Sequence, residues 1–270
     1  MGQASRTLNT PPVNSRELMQ GDPGSMRTLL LAGGLGTRLR PLTDRIPKCL
    51  VPIQGKPLLG YWLDLLLPDG IERVLVNTHY LPEAVRRFAA ESPWRERITL
   101  VHEERLLGTG GTVLRNRGFF QERAFMVAHA DNLTRFDVAA FVGQHDRRPA
   151  GTLITMMTFR TDAPQTCGIV EVDARGVVTA FHEKVANPPG NRANAAVYVF
   201  EPEVADFLAS LGKDVIDLST EVIPAFLGRI CAFHNSDYHR DIGTLESLRR
   251  AEEEYPKGGA PRRGNRGMRR

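Results

Sequence analysis

The sequence predicts an α/β protein built on a mixed, mostly parallel sheet, and three observations carry that reading. Short apolar runs bounded by glycine alternate with amphipathic helical stretches through the first 130 or so residues, the spacing of βαβ units. Two glycine-rich loops, Gly33-Gly34-Leu35-Gly36 and Gly108-Thr109-Gly110-Gly111-Thr112, follow such runs directly. The second half changes to closely spaced strands with a hairpin turn at Ala174-Arg175-Gly176, which adds antiparallel pairing. A chain of 270 residues with 41% hydrophobic and 24% charged residues has ample means to bury a core.

Taken in order, residues 28–32 are too short and too glycine-bounded for a helix and read as a buried strand. Lys56-Pro57 opens a helix to Leu67, with Leu58, Leu59, Trp62, Leu63 and Leu66 on one face. Pro68-Asp69-Gly70 breaks it. A strand over 71–77 follows, and Pro82 begins a helix carrying Val85, Phe88 and Ala89. A third strand, 98–102, leads to the second glycine loop and a short helix to about Arg117. A fourth, 124–128, delivers His129-Ala130-Asp131-Asn132 at its end. Strands are then expected over 152–158, 168–173, 177–181, 194–200 and 230–233, with helices from Pro202 to Leu211 and from Asp217 to Leu227. Thr244 caps a last helix to Tyr255. In parallel sheets ligands lie beyond the carboxyl ends of the strands. Both glycine loops and Asp131 fall at such ends.

Residues 1–26 are polar, rich in turn formers and without an apolar signal core, and read as a disordered leader. The folded domain is expected over 27–255. Residues 256–270 read as a basic disordered tail, with Lys257, Arg262, Arg263, Arg266, Arg269 and Arg270 and no acid. Without those six charges the net charge of +4 becomes −2, so basicity gives the domain no specific nucleic-acid partner. No apolar run approaches the roughly 18–20 residues that span a bilayer, which leaves no membrane partner. Cys49, Cys167 and Cys231 are odd in number and lack CxxC spacing, as expected of reduced thiols. A cytoplasmic location is the resulting expectation.

The chemistry concentrates between Leu29 and Lys48. Glycines without a Cβ let backbone amides approach an anion closely, and Arg38, Arg40 and Lys48 add positive charge at the same mouth. The dinucleotide fingerprint is absent, because Leu39 stands where its third glycine belongs. The phosphate loop of Walker-type NTPases is absent too, because Thr37-Arg38 replaces its Lys-Ser/Thr. A triphosphate site of another type fits these residues.

Gly33-Gly-Leu-Gly-Thr-Arg-Leu-Arg-Pro-Leu-Thr43 followed by Pro47-Lys48 resembles the signature of the sugar-1-phosphate nucleotidyltransferases. Gly55-Lys56-Pro57, Gly108–Gly111, Ala130-Asp131-Asn132, Phe181-His182-Glu183-Lys184, Asn194-Ala195-Ala196 and Asp241-Ile242-Gly243-Thr244 follow in that family's order across residues 27–250. The resemblance implies a three-layer α/β/α Rossmann-like nucleotidyltransferase fold. It implies attack of a sugar 1-phosphate on the α-phosphorus of a nucleoside triphosphate, giving a nucleotide sugar for surface polysaccharide biosynthesis.

It also implies roles for residues. Arg38 meets the departing pyrophosphate and Lys48 the α-phosphate, as the catalytic pair. Leu31, Gly33, Gly34, Gly36, Thr37, Glu104, Gly108, Thr109, Gly110 and Gly111 join them around the nucleotide. Asp131 and Asp241 hold Mg2+. Asn132, Gly168, Glu183, Lys184 and Asn194 face the sugar phosphate. Ala130 and Ala196 stand where the family commonly has glycine, and Cys167 where it often has an aromatic residue. Glu104-x-x-Leu107-Gly-Thr-Gly-Gly111 looks like guanylyltransferases acting on mannose- or manno-heptose-type phosphates, which favours GTP. Thymidylyl or uridylyl transfer and a non-catalytic sugar-nucleotide-binding homologue are the alternatives, and assembly into a homo-oligomer is left open. A nucleotide-dependent dehydrogenase is disfavoured by Leu39.

Overall fold

The computed structural model describes residues 26–256. The expected leader and basic tail lie outside this range apart from Met26 and Pro256. The chain runs β1 (Met26–Leu31), β2 (Pro52–Ile53), β3 (Lys56–Pro57), α1 (Leu58–Leu66), β4 (Ile71–Thr78), α2 (Pro82–Glu91), β5 (Ile98–His102), α3 (Gly108–Arg115), β6 (Phe125–His129), β7 (Asn132–Arg135) and α4 (Val138–Asp146). It continues through β8 (Ile154–Arg160), β9 (Gly168–Val172), β10 (Val178–Glu183), β11 (Arg192–Phe200), α5 (Pro202–Ser210), α6 (Ile223–Ala225), β12 (Ile230–His234), β13 (Tyr238–Asp241) and α7 (Leu245–Glu254).

β6, β1, β4 and β5 are parallel neighbours in that order, the product of successive βαβ crossovers. β11 then pairs antiparallel with β6, β8 with β11, and β12 lies parallel to β8. The β9–β10 hairpin joins β11 at Ala193 and Ile169. A bridge between Val177 and Cys231 ties the hairpin to β12, so this flank curls back on itself.

Alternation along each strand feeds two cores. Leu29, Leu75 and Val127 pack with Val113 of α3 and Val204 and Leu208 of α5 on one face. Leu30, Val74, Val76 and Met126 pack with Trp62 and Leu63 of α1, Val85 of α2 and Phe141 of α4 on the other. Leu29 and Leu30 are each fully buried, contributing about 1.5–3 kcal/mol apiece. The result is the expected three-layer α/β/α sandwich around a mixed sheet. A smaller cluster of Leu39, Val51, Ile53, Leu133, Ile242 and Ala251 binds the first glycine loop to the β7–β13 ribbon and α7.

Several elements differ from the sequence reading. Lys56-Pro57 forms β3 against β2, and α1 begins one residue later at Leu58. The second glycine loop is itself the first turn of α3. The stretch after Asp217 is a π-turn over Leu218–Val222 and only three α-helical residues, not a regular helix. No α-helix follows the first glycine loop until α1; short 3-10 turns at Thr37–Leu39, Leu42–Asp44 and Lys48–Leu50 replace it. β7, β13 and α4 had no strong periodicity. α4 is fixed by its N-cap, where the Asp137 carboxylate accepts from the Ala140 amide at 2.8 Å.

Candidate active site

β1 ends at Leu31, and the chain turns through Gly33–Gly36 at the carboxyl edge of the sheet. A Cβ at Gly33 would lie 2.9 Å from Asn77 Nδ2, so a larger residue would have to displace the Asn77 amide. Asn77 Oδ1 accepts from the Ala32 amide at 2.7 Å and fixes the start of the loop. Gly36 turns left-handed at φ 64, and its carbonyl accepts from the Thr43 hydroxyl at 2.7 Å. Among the described residues, the amides of Gly34, Leu35 and Gly36 meet no protein acceptor. They are available to an anion.

Two distant carboxylates converge on one cation. β7 and β13 pair antiparallel with Asp241 opposite Asn132, and the Ile242 amide donates to the Asp131 carbonyl at 3.2 Å. Asp131 and Asp241 are thereby side by side. Lys48 Nζ donates to Asp131 Oδ2 at 2.7 Å and to Asp241 Oδ1 at 3.5 Å. Lys48 is buried, whereas the Asp131 and Asp241 side chains keep 38% and 54% of their exposure. Desolvation pushes the Asp131 carboxyl up, but the Lys48 ammonium and its hydrogen bond, with His129, hold it below the usual carboxylate range. Arg38 reaches the same point: a Cβ at Gly243 would lie 2.5 Å from Asp241 Oδ2 and 2.9 Å from Arg38 Nη2. Cys49 beneath Lys48 is buried, its thiol pushed up to about 12 by desolvation, and is inert packing. All three cysteines are free thiols.

This donor set fits a hard divalent cation. Two carboxylates close enough to share one ammonium can share one ion, and phosphate oxygens would complete its shell. No group of three or more His, Cys, Asp or Glu suited to a metal occurs among the described residues, so a cation here depends on the substrate for further ligands.

Beside this centre lies a cavity of about 230 Å³, lined among others by Leu31, Gly33, Gly34, Lys48, Gly108, Thr109 and Asp131. Asn77, Glu103 and Leu106, which carry no role in the sequence reading, also line it, together with Thr112 at the end of the second glycine loop. Buried Glu103 lies between this cavity and a neighbouring one of about 660 Å³, whereas Glu104 is exposed and lines the neighbouring one alone. The signal was available: a residue at the end of a half-buried strand points inward or outward by parity, and Glu103 follows directly on β5. The Thr112 hydroxyl donates to Glu103 Oε1 at 2.6 Å, whereas buried Oε2 has no partner in the protein.

The glycines of α3 also divide. Gly108 reaches the cavity, but the amides of Gly110 and Gly111 donate to the Ile216 carbonyl at 2.9 and 3.2 Å. A Cβ at Gly111 would come within 2.1 Å of the Asp214 carbonyl oxygen. Gly110 and Gly111 thus serve helix docking. Thr37 is exposed at the loop's outer side.

The sugar-facing residues gather around the β9–β10 hairpin and a bulge in β11. Gly168 is opposite Glu183, and a Cβ there would meet Phe181 and, at 2.7 Å, Glu183 Oε2. Lys184 Nζ lies 3.0 Å from Glu183 Oε1. Asn194 Nδ2 donates to the Tyr198 hydroxyl at 2.6 Å, and its Oδ1 accepts from the Ala196 amide at 3.0 Å. Burial, and the nearby charges of Glu183 and Asp217, push the Tyr198 phenol above its ordinary value. Asn132 stands apart from this group. Its amide is buried and donates to the Ala195 carbonyl at 3.4 Å, so it braces β7 against β11.

Fold and site together define an α/β protein with a glycine-lined cavity at the carboxyl end of its sheet, beside two convergent carboxylates and two cations. A family model described as Nucleotidyl transferase matches residues 27–258. The chain is 36% identical over 247 residues to a mannose-1-phosphate guanylyltransferase of Mycobacterium tuberculosis, covering 88% of this chain and 68% of that protein. It is 30% identical over 237 residues to a UTP–glucose-1-phosphate uridylyltransferase of Synechocystis, covering 82% and 61%. The chain therefore spans about two thirds of the length of these relatives. The structure of HddC from Yersinia pseudotuberculosis complexed with GMP-PN superposes with a TM-score of 0.71 at 23% identity, covering 86% of this chain and all of that one, which is a likeness of fold. The chain belongs to the nucleotidyl transferase family.

No helix among the described residues is long and apolar enough to cross a membrane.

Proposed function

We propose that this chain is a sugar-1-phosphate nucleotidyltransferase that uses Mg2+ and prefers GTP and a mannose- or manno-heptose-type 1-phosphate. The convergence of Lys48, Arg38, Asp131 and Asp241 beside the glycine-lined cavity carries the reading. A sugar phosphate oxygen forms a bond to the α-phosphorus, the bond to the bridging oxygen breaks, and pyrophosphate leaves with that electron pair. The nucleophile is already an anion, so the site needs alignment and neutralisation of charge rather than a general base. Lys48 faces the α-phosphate and Arg38, with its planar fork, the departing pyrophosphate. Asp131 and Asp241 would hold the divalent cation, which neutralises phosphate charge when bound. Gly34 and Gly36 amides meet the phosphates, and Glu183, Lys184, Gly168 and Asn194 orient the sugar phosphate.

Glu103 supports the choice of base. Guanine presents an N1–H and an exocyclic amine side by side, and one carboxylate accepts from both. Uracil and thymine offer a single N–H flanked by carbonyls, which a carboxylate repels. The relative at 36% identity, named for guanylyl transfer, agrees; the uridylyltransferase at 30% keeps uridylyl transfer as the second reading. A pyrophosphate-release screen of GTP, dTTP, UTP, CTP and ATP against a panel of sugar 1-phosphates tests both. Turnover with GTP and a manno-configured phosphate is expected; release only with UTP or dTTP would overturn the base while sparing the class. No release from any pair would favour a sugar-nucleotide-binding homologue without catalysis.

A further inference from the structure

At the same carboxyl edge, beyond Asn194, three basic side chains stand together, none of them in an ion pair among the described residues. β8 and β11 run antiparallel with Arg160 directly opposite Arg192. On β12, His234 is paired in register with Thr158, and its Nδ1 lies 3.3 Å from the Thr158 hydroxyl. Side-chain alternation puts Thr158, Arg160, Arg192, Asn194 and His234 on one face of the curled flank.

The pairing is unfavourable for the sheet itself, because like charges directly opposite one another repel. Elsewhere Arg27 pairs with Glu72, Arg135 with Asp237 and Arg148 with Glu201, while half-buried Arg73 and Arg97 donate to backbone carbonyls. Exposed Arg160 donates to the Asn191 side-chain oxygen at 3.0 Å, and neither it nor half-buried Arg192 makes an ion pair among the described residues. Burial and then the charges of Arg192 and Arg160 lower the His234 pKa, which places both guanidinium groups within electrostatic reach of the ring. Two guanidinium forks and an imidazole match the oxygens of one phosphate or carboxylate.

We propose that Arg160, Arg192 and His234 form an anion site for a phosphate or carboxylate, adjoining the sugar subsite at Asn194 and resting on that reading of the subsite. Arg192 lies two residues from Asn194 on the same face, ~7 Å along the strand. The anion has two sources: a second acidic group at the far end of the sugar 1-phosphate, or a free anion bound beside it.

Inorganic phosphate titrated into the full chain, with the His234 imidazole followed by NMR and assigned through His234→Gln, tests the site. A saturable shift is expected, and the Arg160→Gln/Arg192→Gln variant should need at least ~10-fold more phosphate for half-saturation. A shift that does not saturate, or that saturates equally in the double variant, would overturn the proposal. This readout needs no turnover, so it stands apart from the success of the transferase assay. Steady-state kinetics separate the sources. If the anion belongs to the sugar, the double variant raises KM about 10-fold for a hexose 1-phosphate bearing a second phosphate at C6 and leaves the simple hexose 1-phosphate unchanged. If it is free, phosphate binding is lost while both KM values stay the same.

Discussion

Lys48 Nζ lies 2.7 Å from Asp131 Oδ2, and that single contact joins residues from two different crossovers of the sheet. The lysine comes from the 3-10 turn after the first glycine loop and the aspartate from the end of β6, 83 positions on. The contact places a buried cation and a recessed carboxylate at one point, with Asp241 at 3.5 Å. Asp131→Asn and Asp241→Asn should each cut turnover by at least about a hundredfold, the scale of losing one charge-stabilising group. Circular dichroism should show both variants folded. Full activity in either would remove that residue from the cation site.

Chelation gives the matching test. With the protein stripped of divalent cations, pyrophosphate release should stop, and added Mg2+ should restore it. Turnover that persists through chelation would leave Arg38 and Lys48 as the sole neutralising groups.

Glu103 is predicted to set the base. Glu103→Gln keeps the volume and the partner Thr112 but replaces one acceptor by a donor, which faces the guanine donors with another donor. The ratio of kcat/KM for GTP over UTP should fall by roughly 10- to 100-fold, as for a lost polar match in a buried site. An unchanged ratio would place base recognition elsewhere, on Asn77 or the backbone.

Ala196 adopts φ 53 in the β11 bulge, a left-handed conformation that strains an L-residue. Its amide orients Asn194, so the strain is tied to the site. Ala196→Val adds β-branching where it is least tolerated and should destabilise by about 1–2 kcal/mol while raising KM for the sugar phosphate. Ala196→Gly trades a little buried methyl for relief of strain and should stay within about 0.5 kcal/mol of the parent. Urea melts of the two variants decide it, and equal stability would remove the strain argument.

His145 is predicted to make the fold sensitive to acid. It is buried, its Nδ1 2.8 Å from the Thr155 hydroxyl and its Nε2 3.1 Å from Glu201, whose carboxylate is already held by Arg148. Burial, then the Arg148 charge, lowers its pKa from 6.5 to about 4. The folded state therefore resists protonation that the unfolded chain accepts. Stability is full above pH 6.5, falls as pH drops toward 4, and loses about 3 kcal/mol from this group across that window. His145→Gln should flatten the decline in denaturant midpoint; an equally steep decline would assign the acid sensitivity to other groups.

The sequence by itself determined the strands that build the sheet's parallel centre, because apolar runs bounded by glycine and proline leave the backbone few choices. Residues 98–102 are β5 without adjustment, and Thr244 caps α7 as expected. The sequence's glycine loop and strand-end acid also marked Arg38, Lys48 and Asp131 locally, whereas Asp241 stood out only through the family resemblance. What it left open depends on partners distant in the chain. Whether Glu103 or Glu104 faces the cavity is a matter of strand parity at the end of β5. Gly110 and Gly111 resemble a ligand loop in isolation, yet the backbone of Asp214 and Ile216 fills the space that a Cβ would need. Asn132 becomes a brace because β11 passes beside it. Arg160, Arg192 and His234 are unremarkable in sequence and meet only when β8, β11 and β12 take their register. Local patterns set which segments become strands and turns, whereas side-chain roles follow from packing between segments, which only the tertiary structure decides.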